Sequence, residues 1–177
     1  GSALSAADAE RLEQQRLPLV LSGLVAACWP DGAERWSAGA LERDFGAQRF
    51  KVGTKPATKA PVMLSLSDYL RYAAATRDDS PLYIFDDGFD ERCGTRRLAD
   101  DYAPLRAALD AFGDLFALVG EERRPPYRWL CVGAERPGSY MHKDPFGTSA
   151  WNALLDGEEL WVLLPPRVPV EVAKPRH

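Results

Sequence analysis

The sequence predicts an α+β fold, with helices and short strands interleaved over roughly the first two-thirds of the chain and strands dominating the rest. Three observations predict it. Ser5, Ser37 and Ser67 can each cap a helix, and each stands at the start of a segment with apolar residues at helical spacing. The apolar runs 82–85 and 127–132, closed off by prolines and turn residues, have the length of buried strands. Asp156-Gly157 lies between two further apolar runs, as in a type I′ hairpin.

Taken in order, Ser5 caps a helix running to about Arg16, with Asp8 three residues on as in a capping box, and Pro18 ends it. Leu19-Val20-Leu21 reads as a short buried strand and Trp29-Pro30-Asp31-Gly32 as a loop. Ser37 caps a second helix that puts Leu41 and Phe45 on one face and stops at Gly46. Arg49 to Val52 alternates like a strand. Thr54 to Ala60 is a polar loop whose Lys55 and Lys59 can be simply solvated or can meet an anionic partner. Ser67 opens a third helix with Leu66, Leu70 and Ala73 as its core stripe. The turn 78–81 leads into the strand 82–85, and a loop runs from Asp86 to Thr95. Pro104 to Val119 reads as a helix broken near Gly113, Pro125-Pro126 precedes the strand 127–132, and a further strand carries His142.

At 177 residues the chain suits a single domain, with 46% hydrophobic residues as in ordinary globular proteins. The net charge of −4 provides no overall basic field for nucleic acid. No run of 18 apolar residues is present, so no membrane-spanning helix is expected. Gly1-Ser2 reads as a cloning remnant, with no secretory leader before Ala3. Cys28, Cys93 and Cys131 are scattered, which suits buried thiols in a reducing compartment, nuclear or cytoplasmic. Two histidines, no G-x-S-x-G and no phosphate loop argue against a hydrolase triad or a nucleotide enzyme.

The chemistry-bearing stretch is Pro137 to Pro145, with His142-x-Asp144 at its centre. On an extended strand, residues two apart project to one face, so this imidazole and carboxylate point the same way and Lys143 opposite. They form two-thirds of the two-His, one-carboxylate triad of non-haem iron oxygenases. As a bare pattern, H-x-D is more often a surface hydrogen bond.

Around it stand Arg77-Asp78-Asp79-Ser80-Pro81-Leu82-Tyr83-Ile84-Phe85-Asp86, Arg123-Arg124-Pro125-Pro126-Tyr127-Arg128-Trp129, Gly147 to Leu155, and Leu160 to Pro166. Together these blocks closely resemble the Jumonji-C oxygenases, and among them the branch of arginine demethylases and lysyl hydroxylases once described as a phosphatidylserine receptor. The resemblance runs from about Pro18 to Pro166.

It implies a cupin-like double-stranded β-helix, or jelly roll, entered after a leader of helices and strands at 3–120, with its first strands at 121–177. It also implies Fe(II) and 2-oxoglutarate as cofactors, supported by ascorbate, with decarboxylation to succinate coupled to oxidation of lysyl or methyl-arginyl side chains of a protein substrate. His142 and Asp144 match the family's iron ligands. Ser139, where the family usually has Thr, and Asn152 match residues that contact 2-oxoglutarate, and both can donate hydrogen bonds to a carboxylate. On the residues alone, the favoured readings are that Asn152 satisfies backbone groups in the sheet and that Ser139 is a turn residue after Gly138. Tyr83 matches a strand bordering the pocket; it can bond the cosubstrate or be a core aromatic. Trp151, Tyr127 and Trp129 read as packing residues.

Two positions depart from the family. Glu159 stands where the family places a lysine that pairs with the distal carboxylate of 2-oxoglutarate, and like charges there repel. Arg128 or Arg167 would have to replace that lysine. The family's third iron ligand is a histidine far beyond the H-x-D motif, and the sole later histidine is the terminal His177. Further strands of a longer protein, or a second chain, are therefore expected to complete the β-helix. Three readings result: an iron and 2-oxoglutarate protein hydroxylase or demethylase inactive as this chain alone, a catalytically inactive Jumonji-like binding or scaffold module, or a cupin-like metal binder without oxygenase activity. No membrane and no direct nucleic-acid partner is expected.

Overall fold

A computed structural model describes residues 5–174. It opens with α1 (Ala6–Gln14), where Ser5 Oγ accepts the Asp8 amide at 3.1 Å and donates to Asp8 Oδ2 at 2.6 Å. The Asp8 carboxylate thus accepts a hydrogen bond from the capping hydroxyl, and that bond, with Arg11 nearby, holds its pKa below the usual carboxylate range. The expected strand at 19–21 does not form: Leu19, Val20 and Leu21 are exposed, Val20 at 85%. A strand exists only where a neighbour takes its backbone groups, and none lies beside this run among the described residues.

Three short helices follow, α2 (Leu24–Cys28), α3 (Gly32–Arg35) and α4 (Ala38–Phe45). The loop expected at 29–32 gives way to helix at Gly32, because Gly32 packs directly on the buried Trp29 indole. A Cβ there would stand 2.5 Å from ring atom Cδ2. Ser37 caps α4 through the Ala40 amide at 3.3 Å and turns Leu41 and Phe45 into the core, as the spacing predicts.

β1 (Arg49–Thr54) pairs antiparallel with β2 (Pro61–Ser65), Phe50 opposite Leu64. The polar loop joins them as a hairpin; β2, with little alternation of its own, is defined by its partner. In α5 (Leu66–Ala75) the cap is Ser65 rather than Ser67, its Oγ accepting the Asp68 amide at 3.1 Å. Tyr69 of α5 is fully buried and donates to Val132 O at 2.8 Å. Burial and the neighbouring Tyr72 push its hydroxyl up to about 12.

The second sheet pairs β3 (Ile84–Asp86) with β4 (Leu130–Val132), antiparallel, Phe85 opposite Cys131. Between them run α6 (Arg97–Asp101), in a stretch to which the sequence assigns no element, α7 (Ala103–Leu109), a 3-10 turn at 110–112, and α8 (Leu115–Val119). Gly113, with φ 75° and ψ 156°, makes the break expected between the last two helices. The core gathers Phe45 of α4, Phe50 and Val52 of β1, Leu66 and Tyr69 of α5, and Ile84 of β3.

After β4 the described chain forms only a 3-10 turn at 145–147 and the short α9 (Val170–Ala173). The strand expected through His142 and the hairpin expected at 148–164 are not formed. The chain does bend at Asp156-Gly157, and Gly157 has φ 86°, but Asp156 lacks the positive φ of a type I′ turn. The run Leu160 to Leu164 stays exposed without a ladder partner. The mixed α+β character stands, as two small antiparallel sheets, and the described residues do not form a jelly roll.

Candidate functional site

Strand alternation divides the β3–β4 sheet into two faces. Ile84, Asp86 and Leu130 point into the core. Tyr83, Phe85, Trp129 and Cys131 belong to the opposite, outward face. There Tyr83 and Phe85 lie 5.6 Å apart between ring centroids, and Phe85 stacks on Trp129 at 6.0 Å and 22°. The Tyr83 hydroxyl lies 2.8 Å from Ser139 Oγ, so two cosubstrate candidates 56 residues apart in sequence meet at one end of this row. Opposite Phe85, crowding around the Cys131 thiol and then the negative charge of Glu159 push it up to about 11, although the residue still reaches the surface.

His142 and Asp144 converge without a strand between them. Nε2 of His142 lies 3.2 Å from Oδ1 of Asp144. Nδ1 lies 2.7 Å from the Tyr140 carbonyl, which can only accept, so Nδ1 carries the proton. In a neutral ring, Nε2 is then a bare lone pair facing a carboxylate oxygen. Two acceptors at that distance need a proton or a cation between them. The separation is close to the roughly 3 Å between adjacent ligands of an octahedral ion with bonds near 2.1 Å. A histidine whose other nitrogen is held by a backbone carbonyl is the usual form of a metal ligand.

The pair thus fits two positions of a metal site. The set is incomplete: among the described residues no three His, Cys, Asp or Glu side chains are grouped to hold an ion. His177 lies outside the described residues. Both side chains of the pair are about half-exposed and not enclosed in a pocket.

Asn152 is exposed, and among the described residues no hydrogen bond ties its side chain to Tyr83 or Ser139. Arg128 cannot take over the missing lysine's role. It is held by Asp90 at 3.1 Å and lies 4.7 Å over the Tyr127 ring. Arg167 is exposed.

The residue that sequence reasoning missed is Asp86, treated there as the start of a loop. It is fully buried and accepts from the Lys51 amide (2.8 Å), the Gly88 amide (2.9 Å) and both Arg92 terminal nitrogens (3.0 and 2.9 Å). β1 packs beside β3, and at Lys51 this side chain, rather than a ladder bond, joins them. A carboxylate closing an apolar strand, with glycine two residues on and arginine six on, was the available signal.

No family model matches the chain. It is 40% identical over 163 residues to the bifunctional arginine demethylase and lysyl-hydroxylase psr-1 of Caenorhabditis briggsae, covering 92% of this chain and 40% of that protein. It is 40% identical over 156 residues to the lysine-specific demethylase JMJ21 of Arabidopsis thaliana, covering 88% of this chain and 16% of the relative. It is 38% identical over 159 residues to the arginine-specific demethylase JMJ22 of the same plant, covering 89% and 28%. The chain spans two-fifths or less of the length of these relatives. Over some nine-tenths of its own length, the chain is therefore related to the Jumonji-C proteins, the bifunctional arginine demethylase and lysyl-hydroxylase branch among them.

Proposed function

We propose that this chain is the part of an Fe(II)- and 2-oxoglutarate-dependent protein hydroxylase or demethylase that carries two of the iron ligands and the first cosubstrate contacts. Its substrate is a lysyl or methyl-arginyl side chain of a protein in the nucleus or cytoplasm. The observation that carries the reading is the His142–Asp144 pair, with its proton placed on Nδ1 and two acceptors turned toward one another.

Bound iron and 2-oxoglutarate would supply activation of dioxygen, one oxygen atom going into succinate as the oxo acid loses carbon dioxide and the other into the substrate C–H bond. The chain's own residues orient and select. The Tyr140 carbonyl fixes the imidazole so that Nε2 presents its lone pair, and Asp144 adds the negative charge a divalent cation requires. Tyr83 and Ser139 hold two hydroxyl protons between them and use one in their mutual bond, which leaves one donor for a carboxylate. Asn152 is assigned to the same cosubstrate only by its place in the matched block.

Glu159 opposes the distal carboxylate, and this supports the second reading, a non-catalytic module that keeps the fold. The experiment is anaerobic titration of the chain with Fe(II), followed by succinate formation from 2-oxoglutarate with ascorbate. Weak metal binding that requires both His142 and Asp144, with no turnover by the 177-residue chain alone, is expected. Metal binding unchanged in Asp144→Ala would refute the ligand assignment.

A further inference from the structure

β3 begins at Ile84, whose ladder partner is Val132, so the peptide groups of Leu82 lie beyond the last pair of the sheet. Two phenols of α5 take them instead. Tyr72 Oη accepts the Leu82 amide at 3.0 Å and donates to Asp78 Oδ2 at 3.1 Å. Tyr69 Oη stands 3.3 Å from the Leu82 carbonyl and 2.8 Å from the Val132 carbonyl, so its one hydrogen serves both and lies nearer Val132. Residues three apart on a helix share a face, and this face of α5 meets both chain segments that leave one end of the sheet. The segment before Ile84 carries Tyr83, and the segment after Val132 carries Ser139, the two hydroxyls that meet at 2.8 Å. The second segment turns back tightly: a Cβ on Gly133 would stand 2.6 Å from Pro137 Cγ.

We propose that Tyr69 and Tyr72 are positioning residues, a two-hydroxyl clamp on Leu82 that sets Tyr83 against Ser139. The Leu82 carbonyl belongs to the planar peptide that ends at Tyr83 Cα, and the Leu82 amide to the plane before it. Holding both therefore fixes the direction in which Tyr83 leaves the backbone, at a point where no neighbouring strand does so. Tyr69 also grips Val132, so one hydroxyl ties together the two segments that must bring their side chains into contact. A pair that presents one donor to a carboxylate gains from being held beforehand, because ordering a loose side chain on binding lowers affinity. That the pair serves 2-oxoglutarate rests on the oxygenase reading; that α5 sets the pair does not.

The test has two arms. The first, without ligand, follows nuclear Overhauser contacts between the Tyr83 ring and Ser139 in the chain labelled with 13C at tyrosine and serine, Tyr83 being assigned by the loss of its signals in Tyr83→Phe. The contact should be present in the native chain and lost in Tyr72→Phe. Tyr72 is half-buried and Leu82 exposed, so water takes over the freed amide and the fold is retained, which unchanged tryptophan indole signals would verify. Asp78→Ala, at an exposed position, releases the same hydroxyl from its other end and should weaken the contact in the same direction. The second arm is calorimetric titration with 2-oxoglutarate in the presence of Mn(II). Tyr72→Phe should lower affinity on the order of tenfold in the native background and by less than about twofold in Tyr83→Phe, since a residue acting through Tyr83 has nothing to position once that hydroxyl is gone. A Tyr83–Ser139 contact undiminished in both Tyr72→Phe and Asp78→Ala would overturn the proposal. So would an affinity that Tyr72→Phe leaves unchanged, or lowers equally in the two backgrounds. Absence of 2-oxoglutarate binding by the native chain would sink the oxygenase reading instead, and the first arm would still decide whether α5 sets the pair.

Discussion

The hydroxyls of Tyr83 and Ser139 meet at 2.8 Å across 56 residues of sequence, joining the segment that enters β3 to the segment that carries His142. If this pair presents a donor to the carboxylate of 2-oxoglutarate, Tyr83→Phe removes one hydrogen bond to a charged group. A loss of about 1.5–3 kcal/mol is expected, roughly 10- to 100-fold in affinity. Calorimetric titration with 2-oxoglutarate in the presence of Mn(II) measures it, and an unchanged affinity would remove Tyr83 from the site.

Charge reversal at position 159 should act in the opposite direction on the same ligand. Glu159→Lys restores the family's residue and is expected to raise 2-oxoglutarate affinity at least about tenfold, since it replaces like-charge repulsion by an ion pair. The increase should shrink with added salt. Turnover should remain absent in the 177-residue chain, because metal loading is a separate fault. Succinate above the Asp144→Ala background would show that the chain, alone or as an oligomer, completes the site.

Asp86 is expected to be the costliest polar residue to remove. Asp86→Ala leaves two backbone amides and one face of the Arg92 guanidinium without an acceptor. The guanidinium retains partial access to water, which lowers the penalty, so a loss of about 3 kcal/mol is expected. Urea unfolding measures it; a loss below about 1 kcal/mol would show that the β1–β3 contact does not depend on this side chain.

Gly32→Ala should destabilise by about 1–3 kcal/mol, because the new methyl group meets the Trp29 indole and either the ring or α3 must shift. Thermal unfolding, with the near-ultraviolet tryptophan signal as a local probe, distinguishes this from a solvent-exposed change of helix propensity, which would stabilise.

Alkaline pH should unfold the chain through Tyr69 and Cys131. Both hold their protons more tightly folded than their ordinary values of 10.0 and 9.0, at about 12 and about 11. The folded state therefore binds more protons than the unfolded one across this window. Stability should be complete below pH 9 and decline as pH rises toward 12. Cys131→Ser should delay the onset of the decline to about pH 10. A stability curve flat from pH 9 to 12 would contradict both shifts.

The sequence by itself determined what depends on near neighbours. Ser5 and Ser37 begin helices because a hydroxyl can reach an amide three residues on, and Gly113 breaks one because it alone tolerates its backbone angles. His142 and Asp144 approach each other because they stand two residues apart, even where no strand forms. The matched blocks identified the relatives on the same local terms. Only the tertiary structure decided the rest. Whether 19–21, 140–144 or 160–164 becomes a strand depends on a second strand to take its hydrogen bonds, and no pattern within the run states whether that neighbour is present. Tyr83 meets Ser139, and Asp86 serves β1 and Arg92, through contacts that span from 6 to 56 positions and arise only when the sheets pack. That packing also turned Phe85, Trp129 and Cys131 outward, because once Ile84 and Leu130 enter the core, alternation leaves their neighbours no other face.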